Sequence, residues 1–390
     1  MIDPIEDLRR FSGSGTPTIE HDESGLRSFV NAWWTAAQRQ GHALHEISYR
    51  ACFKAQLPEF FIARLTEASE TVYDPFSGRG TTAMQAALMG RHPAANDVNP
   101  LSAMLLAPRL DPPTLGEIAE RLARVADLAR EQVDADDPLL AFYHPDTLAH
   151  LAALRRYLLE RAPDRVDRWI RMVALNRLTG HSPGFFSVYT MPPNQAVSVA
   201  SQRKINARRG QTPPPRDIVA LILRKSRALL ADGPGAAHPP AVLTTGTADN
   251  VPALADASVA LIVTSPPFLD IVDYEADNWL RCWFAGIDPA SVAIDHHRDI
   301  ASWRGFVRRS FVDFARVVRP GGHVAFEVGE VRGGKVRLER EVVAAIAGLP
   351  FTVLGVVVNQ QAFTKTAHCW GVGNNRGGTN SNRIVLARRL

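Results

Sequence analysis

Two short segments, each directly after an apolar run, place the strongest constraint on the fold of this chain. The first reads DPFSGRGTT from Asp74 to Thr82, and the second reads TSPPF from Thr264 to Phe268. The apolar runs before them have the length and residue types of buried strands. Helix-forming sequence follows the first segment at 82–89. This strand-loop-helix pattern predicts an α/β protein with functional loops at strand ends.

Short apolar runs alternate with helix-forming sequence elsewhere in the chain too. A second strand is predicted at 93–97, where it ends on the acid Asp97. After a long interruption, strands are predicted at 241–243, 259–263, 323–328, 351–358 and 383–387, with a helix around 306–318. A Gly/Asn-rich stretch between the last two strands predicts a C-terminal β-hairpin.

The segments outside this alternation define the predicted domain boundaries. Residues 1–25 are polar and rich in Gly, Ser and Thr, which favours a flexible N-terminal arm. Apolar residues at helical spacing predict two or three helices within 26–65. Residues 110–238 are rich in Leu, Ala and Arg and broken by Gly and Pro clusters, which predicts a mainly helical insertion. The catalytic domain is therefore predicted at 26–109 and 239–390.

Composition excludes several classes of protein. Hydrophobic residues make up 46% and charged residues 22% of the chain, and no apolar run approaches the roughly 18 residues of a membrane span. The N-terminus carries acids and lacks a signal-peptide stretch, so a cytoplasmic location is expected. Cys52, Cys282 and Cys369 are far apart and without metal-ligand spacing, so we expect reduced thiols and no metal.

The glycine-rich loop has the features of a site for a nucleoside cofactor. Gly78 and Gly80 allow the backbone to pass close to a ligand, where a Cβ would obstruct it or demand an unfavourable φ. No lysine follows Gly80, which argues against a P-loop, and the third glycine of the dinucleotide fingerprint is missing. Asp97, at the end of the second strand, is placed to accept hydrogen bonds from ribose hydroxyls.

Five motifs occur in the order seen in S-adenosylmethionine-dependent DNA methyltransferases that modify exocyclic amines. They are DPFSGRGTT, the Asp97 of ANDVNP, Thr247-Ala-Asp249, TSPPF and RPGG. The chain resembles that N4-cytosine and N6-adenine family over roughly 45–105 and 240–390. The resemblance implies a doubly wound, seven-stranded, Rossmann-like sheet with a C-terminal β-hairpin, and S-adenosylmethionine as cofactor.

The resemblance also implies roles for individual residues. Asp74, Gly78 and Gly80 would surround the methionine moiety, Asp97 would hold the ribose, and Asp249 would lie near the adenine. The segment from Phe53 to Leu57 looks like the additional cofactor-binding motif of the family. The full set of predicted cofactor-binding residues is Phe53, Asp74, Phe76, Gly78, Gly80, Thr81, Thr82, Asp97 and Asp249.

The second motif carries the predicted catalytic residues, Ser265, Pro266, Pro267 and Phe268. An exocyclic amine is a poor nucleophile, because its lone pair is delocalised into the ring. The Ser265 hydroxyl and the Pro266 carbonyl can each accept one amine hydrogen and so aim the lone pair at the methyl donor. The prolines stiffen this segment. Phe268 can stack on a base taken out of the duplex.

Basic residues concentrate in the predicted insertion and indicate duplex DNA as the partner. The formal net charge is +4, and the predicted nucleic-acid-binding residues are Arg203, Lys204, Arg208, Arg209 and Arg216. They can neutralise phosphates, while Gln202, Asn206 and Gln211 can read base edges. A solvated helix face is the alternative interpretation of this cluster.

The leading hypothesis is methylation of cytosine N4 in duplex DNA, because the resembled family most often associates a serine before the two prolines with that product. N6-adenine methylation is the first alternative. An RNA guanine-N2 methyltransferase and a catalytically silent nucleic-acid-binding protein are further alternatives. A cognate restriction endonuclease is a possible partner that the sequence leaves open.

Overall fold

The structure is a computed structural model that describes residues 3–13, 15–34, 41–49, 52–191, 196–267, 274–292, 297, 299–329, 336–360 and 382–390. Nine strands form one sheet in this part of the chain. They are β1 Ile19–Glu23, β2 Leu26–Asn31, β3 Thr71–Asp74, β4 His92–Asp97, β5 Val242–Thr245, β6 Val259–Thr264, β7 Val318–Val328, β8 Phe351–Asn359 and β9 Asn382–Arg389. Their order is β1-β2-β8-β9-β7-β6-β3-β4-β5.

Seven of these strands, from β8 to β5, form the doubly wound sheet that the sequence predicts. Strands β7, β6, β3, β4 and β5 are mutually parallel, and β9 runs antiparallel to both β7 and β8. The order reverses between β3 and β6, which opens a crevice at the carboxyl ends of these strands. The predicted fold class, with its antiparallel C-terminal strand pair, is therefore confirmed.

Helices cover both faces of the sheet and form the segment between β4 and β5. The described α-helices are α1 Pro4–Arg10, α2 Gln56–Leu65, α3 Thr81–Leu88, α4 Leu101–Leu110, α5 Leu115–Ala126, α6 Pro145–Leu159, α7 Arg165–Leu175, α8 Val199–Arg209, α9 Ile218–Leu229, α10 Tyr274–Ala285, α11 Ile300–Val317 and α12 Leu338–Ile346. None of the helices in the described ranges is long and apolar enough to cross a membrane.

Helices α5 to α9 lie in the stretch predicted as an insertion, and their apolar sides share one core with the methyltransferase-like sheet. Trp169 and Phe186 are fully buried in that core, next to residues of α3 and α4. These helices therefore pack on the same side of the sheet as α3 and α4. The role of the insertion in target recognition remains a prediction.

The first 25 residues are not the flexible arm that their composition predicts. Ile5 and Leu8 of α1 are buried against α2, because the short helix has an apolar face that polar neighbours mask in the sequence. Ser24 and Gly25 both have positive φ, at 55° and 78°, and form the turn between β1 and β2. The segment is therefore a structured helix and β-hairpin.

The prediction of two or three helices in 26–65 is also wrong for its first part. Strand β2 occupies Leu26–Asn31 and pairs in parallel with β8, so one α-helix, α2, remains in the described part of this range. Phe29 is fully buried there, and a Cβ on Gly355 of β8 would lie 2.8 Å from its ring. Pairing with a distant strand overrides the local helical spacing.

We expect Phe29→Ala to lower the free energy of unfolding by about 3–5 kcal/mol, because the substitution leaves a cavity between β2, β8 and α2. Ile19→Ala on β1 is the matched control, since Ile19 is 53% exposed and should cost under about 1 kcal/mol. Urea denaturation of both variants measures the difference. Equal, small effects would show that the N-terminal hairpin does not dock on the sheet.

Candidate active site

The carboxyl ends of β3, β4 and β6 surround one pocket, and it contains most of the predicted cofactor-binding residues and two of the predicted catalytic residues. The predicted cofactor residues that line it are Phe53, Phe76, Gly78, Thr81, Asp97 and Asp249. Ser265 and Pro267 of the acceptor segment line the same pocket. The two motifs that lie 190 residues apart in sequence therefore meet at one site.

Five predicted cofactor-binding and catalytic residues stand behind the pocket wall or beyond the described chain. Asp74, Gly80, Thr82 and Pro266 are not among the lining residues, although Asp74 and Thr82 are buried directly beneath the loop and Pro266 is buried too. Phe268 lies outside the described residues, so its stacking role stays a prediction.

The glycine loop has the backbone conformation that the sequence predicts. Gly78 and Gly80 have φ values of +54° and +80°, a region that favours glycine. Gly80 sits immediately before α3, where a Cβ would lie 2.7 Å from a methyl carbon of Leu106. Both the φ angle and the contact with α4 therefore require glycine at position 80.

Asp97 fixes the loop as well as facing the pocket. One carboxylate oxygen accepts a hydrogen bond from the Gly78 amide at 2.7 Å, and the other accepts one from the Asn99 amide at 2.9 Å. Burial raises the pKa of this carboxyl, and these two amides partly offset that effect. Each carboxylate oxygen keeps a second lone pair, so Asp97 can still accept bonds from a ligand.

Asp74 joins the glycine loop to the acceptor segment. Its Oδ1 accepts hydrogen bonds from the Thr264 hydroxyl at 2.5 Å and the Phe76 amide at 3.2 Å. Its Oδ2 is buried and has no hydrogen-bond partner in the described structure. Burial raises the pKa of Asp74 to about 7. A buried carboxylate that is half satisfied fits a site completed by a cationic or hydroxyl-bearing ligand.

A second bond between the motifs supports the first. The Thr82 hydroxyl, in the first turn of α3, donates to the carbonyl of Val263 at 2.9 Å. Thr82 is fully buried, so no water competes for this contact. The distance between the cofactor loop and the acceptor segment is thus held by two buried hydroxyls.

The acceptor segment presents a defined set of polar atoms. The Ser265 hydroxyl is within hydrogen-bonding reach of the buried Glu327 carboxylate at the end of β7, which also accepts from Asn382. Burial raises the pKa of Glu327, and these two hydrogen bonds partly offset it. The Trp303 indole donates to the Pro267 carbonyl at 2.9 Å. If Ser265 donates its proton to Glu327, its oxygen lone pairs remain available as acceptors.

Two arginines that the sequence analysis does not single out hold the opposite wall of the pocket. Arg79, between the two glycines, donates to the carbonyls of Ile47 at 2.9 Å and Phe53 at 3.2 Å. Fully buried Arg109 donates to the carbonyls of Leu44, Leu105 and Arg79. An arginine near a helix end usually indicates a solvated cation, so the sequence gives no signal for Arg109.

Aromatic residues beyond the predicted set complete the pocket. Tyr49 and Phe306 line it, and the Phe306 ring lies 5.4 Å from that of Phe76. An aromatic pair at this distance offers a flat, apolar surface for a ring system. Asp249, expected near such a ring, also lies within 3.5 Å of Arg309.

The predicted nucleic-acid-binding residues separate into two groups. Arg203, Lys204, Arg208 and Arg209 are exposed on α8, and the Arg209 guanidinium lies over the Tyr189 ring at 3.8 Å. Arg216 is half-buried between α8 and α9. The four α8 side chains are therefore accessible to a polyanion.

The expectation that Gln202, Asn206 and Gln211 read base edges is not supported by their contacts. The amides of Gln202 and Gln211 donate to the Tyr189 carbonyl at 3.1 and 2.9 Å, and Asn206 donates to the carbonyl of Ala141. Gln202 is fully buried. These amides hold the preceding loop because its backbone carbonyls need partners away from water.

Among the described residues, no group of three or more His, Cys, Asp and Glu side chains could hold a metal ion. Cys52 and Cys282 are not joined in a disulfide, and Cys369 lies outside the described residues.

Comparison with known proteins gives a family match over part of the chain. Residues 11–126, from the N-terminal hairpin through the glycine loop to the end of α5, match the N6/N4 methyltransferase family described as DNA methylase. The predicted resemblance is thus confirmed over these residues, and the match supports S-adenosylmethionine as the cofactor. No curated protein shows significant sequence similarity to the chain.

Solved structures give only distant similarity. TrmN from Thermus thermophilus is 10% identical with a TM-score of 0.34, covering 87% of this chain, which spans 50% of TrmN. An S-adenosylmethionine-dependent methyltransferase from Methanosarcina mazei is 10% identical with a TM-score of 0.34, and the match covers 85% of this chain and 97% of that protein. The rRNA methyltransferase aviRa from Streptomyces viridochromogenes is 16% identical with a TM-score of 0.34, and the match covers 91% of this chain and 96% of aviRa. Similarity at this level does not bear on activity.

We expect Gly80→Ala to destabilise the protein by about 2–4 kcal/mol, from positive-φ strain together with the clash against Leu106. Gly210→Ala is the matched control, because Gly210 also has positive φ, at +58°, and nothing within 4 Å of its Cβ position. That variant should lose only about 1 kcal/mol. Thermal unfolding of both proteins separates strain from packing, and equal losses would contradict the close approach of Leu106.

Proposed function

We propose that the protein is a DNA methyltransferase that transfers the methyl group of S-adenosylmethionine to the N4 amine of a cytosine extruded from duplex DNA. The observation that carries this proposal is the shared pocket, in which the buried bond between Asp74 and Thr264 places Ser265 beside the glycine loop. A cofactor loop and an amine-acceptor segment in one pocket are what a methyl transfer to an amine requires.

The residues around the loop fit S-adenosylmethionine. The unpartnered Asp74 oxygen suits the cationic part of the ligand, Asp97 suits the ribose hydroxyls, and the Phe76 and Phe306 rings suit the adenine. When bound, the cofactor supplies an activated methyl group on a sulfonium. The glycine loop allows its backbone to approach the ligand without a Cβ in the way.

The acceptor side has to orient an amine whose lone pair is delocalised into the base. With its own proton donated to Glu327, the Ser265 oxygen accepts one amine hydrogen, and the carbonyl of Pro266 accepts the other. This arrangement turns the nitrogen lone pair toward the methyl donor. Ser265 is thus an orienting residue, and after attack the cationic methylated amine loses its proton to water.

The choice of cytosine over adenine rests on Ser265, which stands first in the acceptor motif. A serine before the two prolines is the residue that the resembled family most often associates with methylation of cytosine N4. The Ser265 oxygen and the Pro266 carbonyl can also orient an adenine N6 amine, so N6-adenine methylation is the second candidate. We assign DNA contacts to the exposed cations of α8, which can neutralise backbone phosphates.

The product of the reaction tests the proposal. Duplex DNA is incubated with the protein and labelled S-adenosylmethionine, digested to nucleosides and analysed by mass. We expect N4-methyldeoxycytidine. N6-methyldeoxyadenosine would favour the second candidate, and label found in RNA alone would contradict both.

We expect Ser265→Ala to lower kcat by about 10²-fold while the dissociation constant of S-adenosylmethionine changes less than about twofold, because Ser265 orients the amine and not the cofactor. Ser258→Ala on an exposed turn before β6 is the control and should leave both quantities unchanged. Single-turnover kinetics and calorimetry measure the two effects. Equal losses of turnover and cofactor affinity would remove the orienting role.

Cofactor binding should tighten as the pH rises through about 7. The carboxyl of Asp74 has a raised pKa of about 7, so it is largely protonated below that pH and must lose its proton to stabilise a cationic ligand. Calorimetry in two buffers of different ionisation enthalpy should detect proton release at pH 6.5. Asp74→Asn should bind more weakly at pH 8 and lose this part of the pH dependence; an unchanged profile would assign the titration to another group.

A further inference from the structure

A second group of basic side chains lies where α7 leads into the loop at 176–191. Its members are Arg177, Arg224 and Lys225. Burial, then the neighbouring Arg224, lowers the pKa of Arg177 to about 10. Burial, then Arg177, lowers the pKa of Lys225 to about 8. Arg177 therefore repels both Arg224 and Lys225, while Arg177 and Lys225 are themselves partly desolvated.

None of these three side chains forms a salt bridge within the described part of the chain. The charge of the exposed Glu46 carboxylate acts to raise the pKa of Lys225. The backbone carbonyl of Glu46, and not its carboxylate, accepts a hydrogen bond from the Lys225 ammonium at 2.6 Å. Holding like charges together with only the exposed Glu46 carboxylate as a counter-charge costs free energy. Such an arrangement fits a site whose negative charge is supplied by a ligand.

The loop that carries Arg177 is held firmly. The Arg177 carbonyl accepts from the Phe186 amide at 2.8 Å, and Thr190 donates its amide to Gly180 at 3.1 Å. The Arg177 guanidinium lies over the Phe185 ring at 4.1 Å. These contacts fix the cation in position before any ligand arrives, which lowers the entropy cost of binding.

The loop at 176–191 lies against Arg224 as well. A Cβ on Gly184 would lie 3.4 Å from a terminal nitrogen of Arg224, at van der Waals contact distance. Arg224 itself is exposed, whereas Arg177 and Lys225 are half-buried. The three cations thus form one basic group, which we call the recess, and its most accessible member is Arg224.

The recess shares a wall with the candidate active site. The side chain of Asn176 accepts from the Ser48 amide at 2.7 Å, and Lys225 is bonded to Glu46. Tyr49, which follows Ser48 in the chain, lines the pocket. Arg281 of α10, the helix that follows the acceptor segment, donates to the Ser48 carbonyl at 3.1 Å. Segment 46–49 therefore separates the cations from the pocket.

We propose that Arg177, Arg224 and Lys225 bind the phosphodiester backbone of the target strand next to the extruded nucleotide. The proposal rests on the proposed function, because it takes its ligand from the strand that the pocket would modify. Guanidinium groups bind phosphate through two parallel hydrogen bonds, and an ammonium adds a point charge. This site differs from the exposed α8 cations, since its charges are pre-positioned beside the pocket wall.

The test compares two double variants in binding to a short DNA duplex at several salt concentrations. Arg224→Gln with Lys225→Met removes two charges of the recess and keeps the apolar stem of Lys225. Arg10→Gln with Arg124→Gln removes two exposed charges on α1 and α5, where each arginine pairs with a nearby glutamate. We expect the first pair alone to reduce the slope of log Kd against log salt by about two, since each phosphate contact contributes about 0.9.

The single variant Arg224→Gln alters an exposed residue, so it keeps the test valid if the double variant folds poorly; its slope should fall by about one. Affinity for S-adenosylmethionine should stay unchanged in all variants. An unchanged slope, an equal fall in the control pair, or a fall with RNA but not DNA of the same sequence would overturn the proposal.

Product analysis on the same samples separates this proposal from the proposed function. Methylated DNA from the wild-type protein with an unchanged slope in the variants overturns the phosphate site and leaves the function standing. A reduced slope without any methylated DNA from the wild-type protein refutes the function and leaves a phosphate-binding recess.

Discussion

The buried hydrogen bond from the Thr264 hydroxyl to Asp74 is the contact on which the site depends. It connects the end of β6 to the end of β3, the two central strands at which the sheet reverses its order. The strands pair only through Tyr73 and Ile262 and their neighbours, so the side-chain bond sets how the two following loops face each other. Because Asp74 is 1% exposed, solvent does not weaken this bond.

The same carboxylate explains why the site needs a ligand to be fully satisfied. Burying a carboxylate that has one oxygen without a hydrogen bond costs free energy. The raised pKa of Asp74 reflects this cost, because the buried group holds a proton more tightly. Arg79 and Arg109 do not neutralise the Asp74 carboxylate, because their guanidinium groups donate hydrogen bonds to backbone carbonyls of the opposite wall. The free protein therefore keeps one buried carboxylate oxygen of Asp74 without a hydrogen-bond partner beneath the glycine loop.

Much of the central architecture could be predicted from sequence, because local patterns and long-range pairing agree there. Strand β6 consists of six apolar or β-branched residues, and all six are buried in the parallel part of the sheet. The glycine at position 80 predicts the positive φ that the structure has there. The N-terminal hairpin could not be predicted in this way, since β2 owes its structure to pairing with β8, about 330 residues later. The prediction that Gln202 and Gln211 contact base edges is not supported either, because polarity alone does not distinguish a side chain that binds DNA from one that holds a loop.

The N-terminal hairpin affects whether copies of this protein can pair through the edges of their sheets. Without it, β8 would form the end of the sheet and would expose a row of unpaired backbone groups next to the apolar run Val356–Val358. Strand β1 takes that terminal place with five exposed residues, of which Glu20 is paired with Arg9 and Arg27. Charged side chains on a short outer strand discourage another sheet from pairing with it. The hairpin thus protects the protein against edge-to-edge aggregation, at the end of the sheet opposite β5.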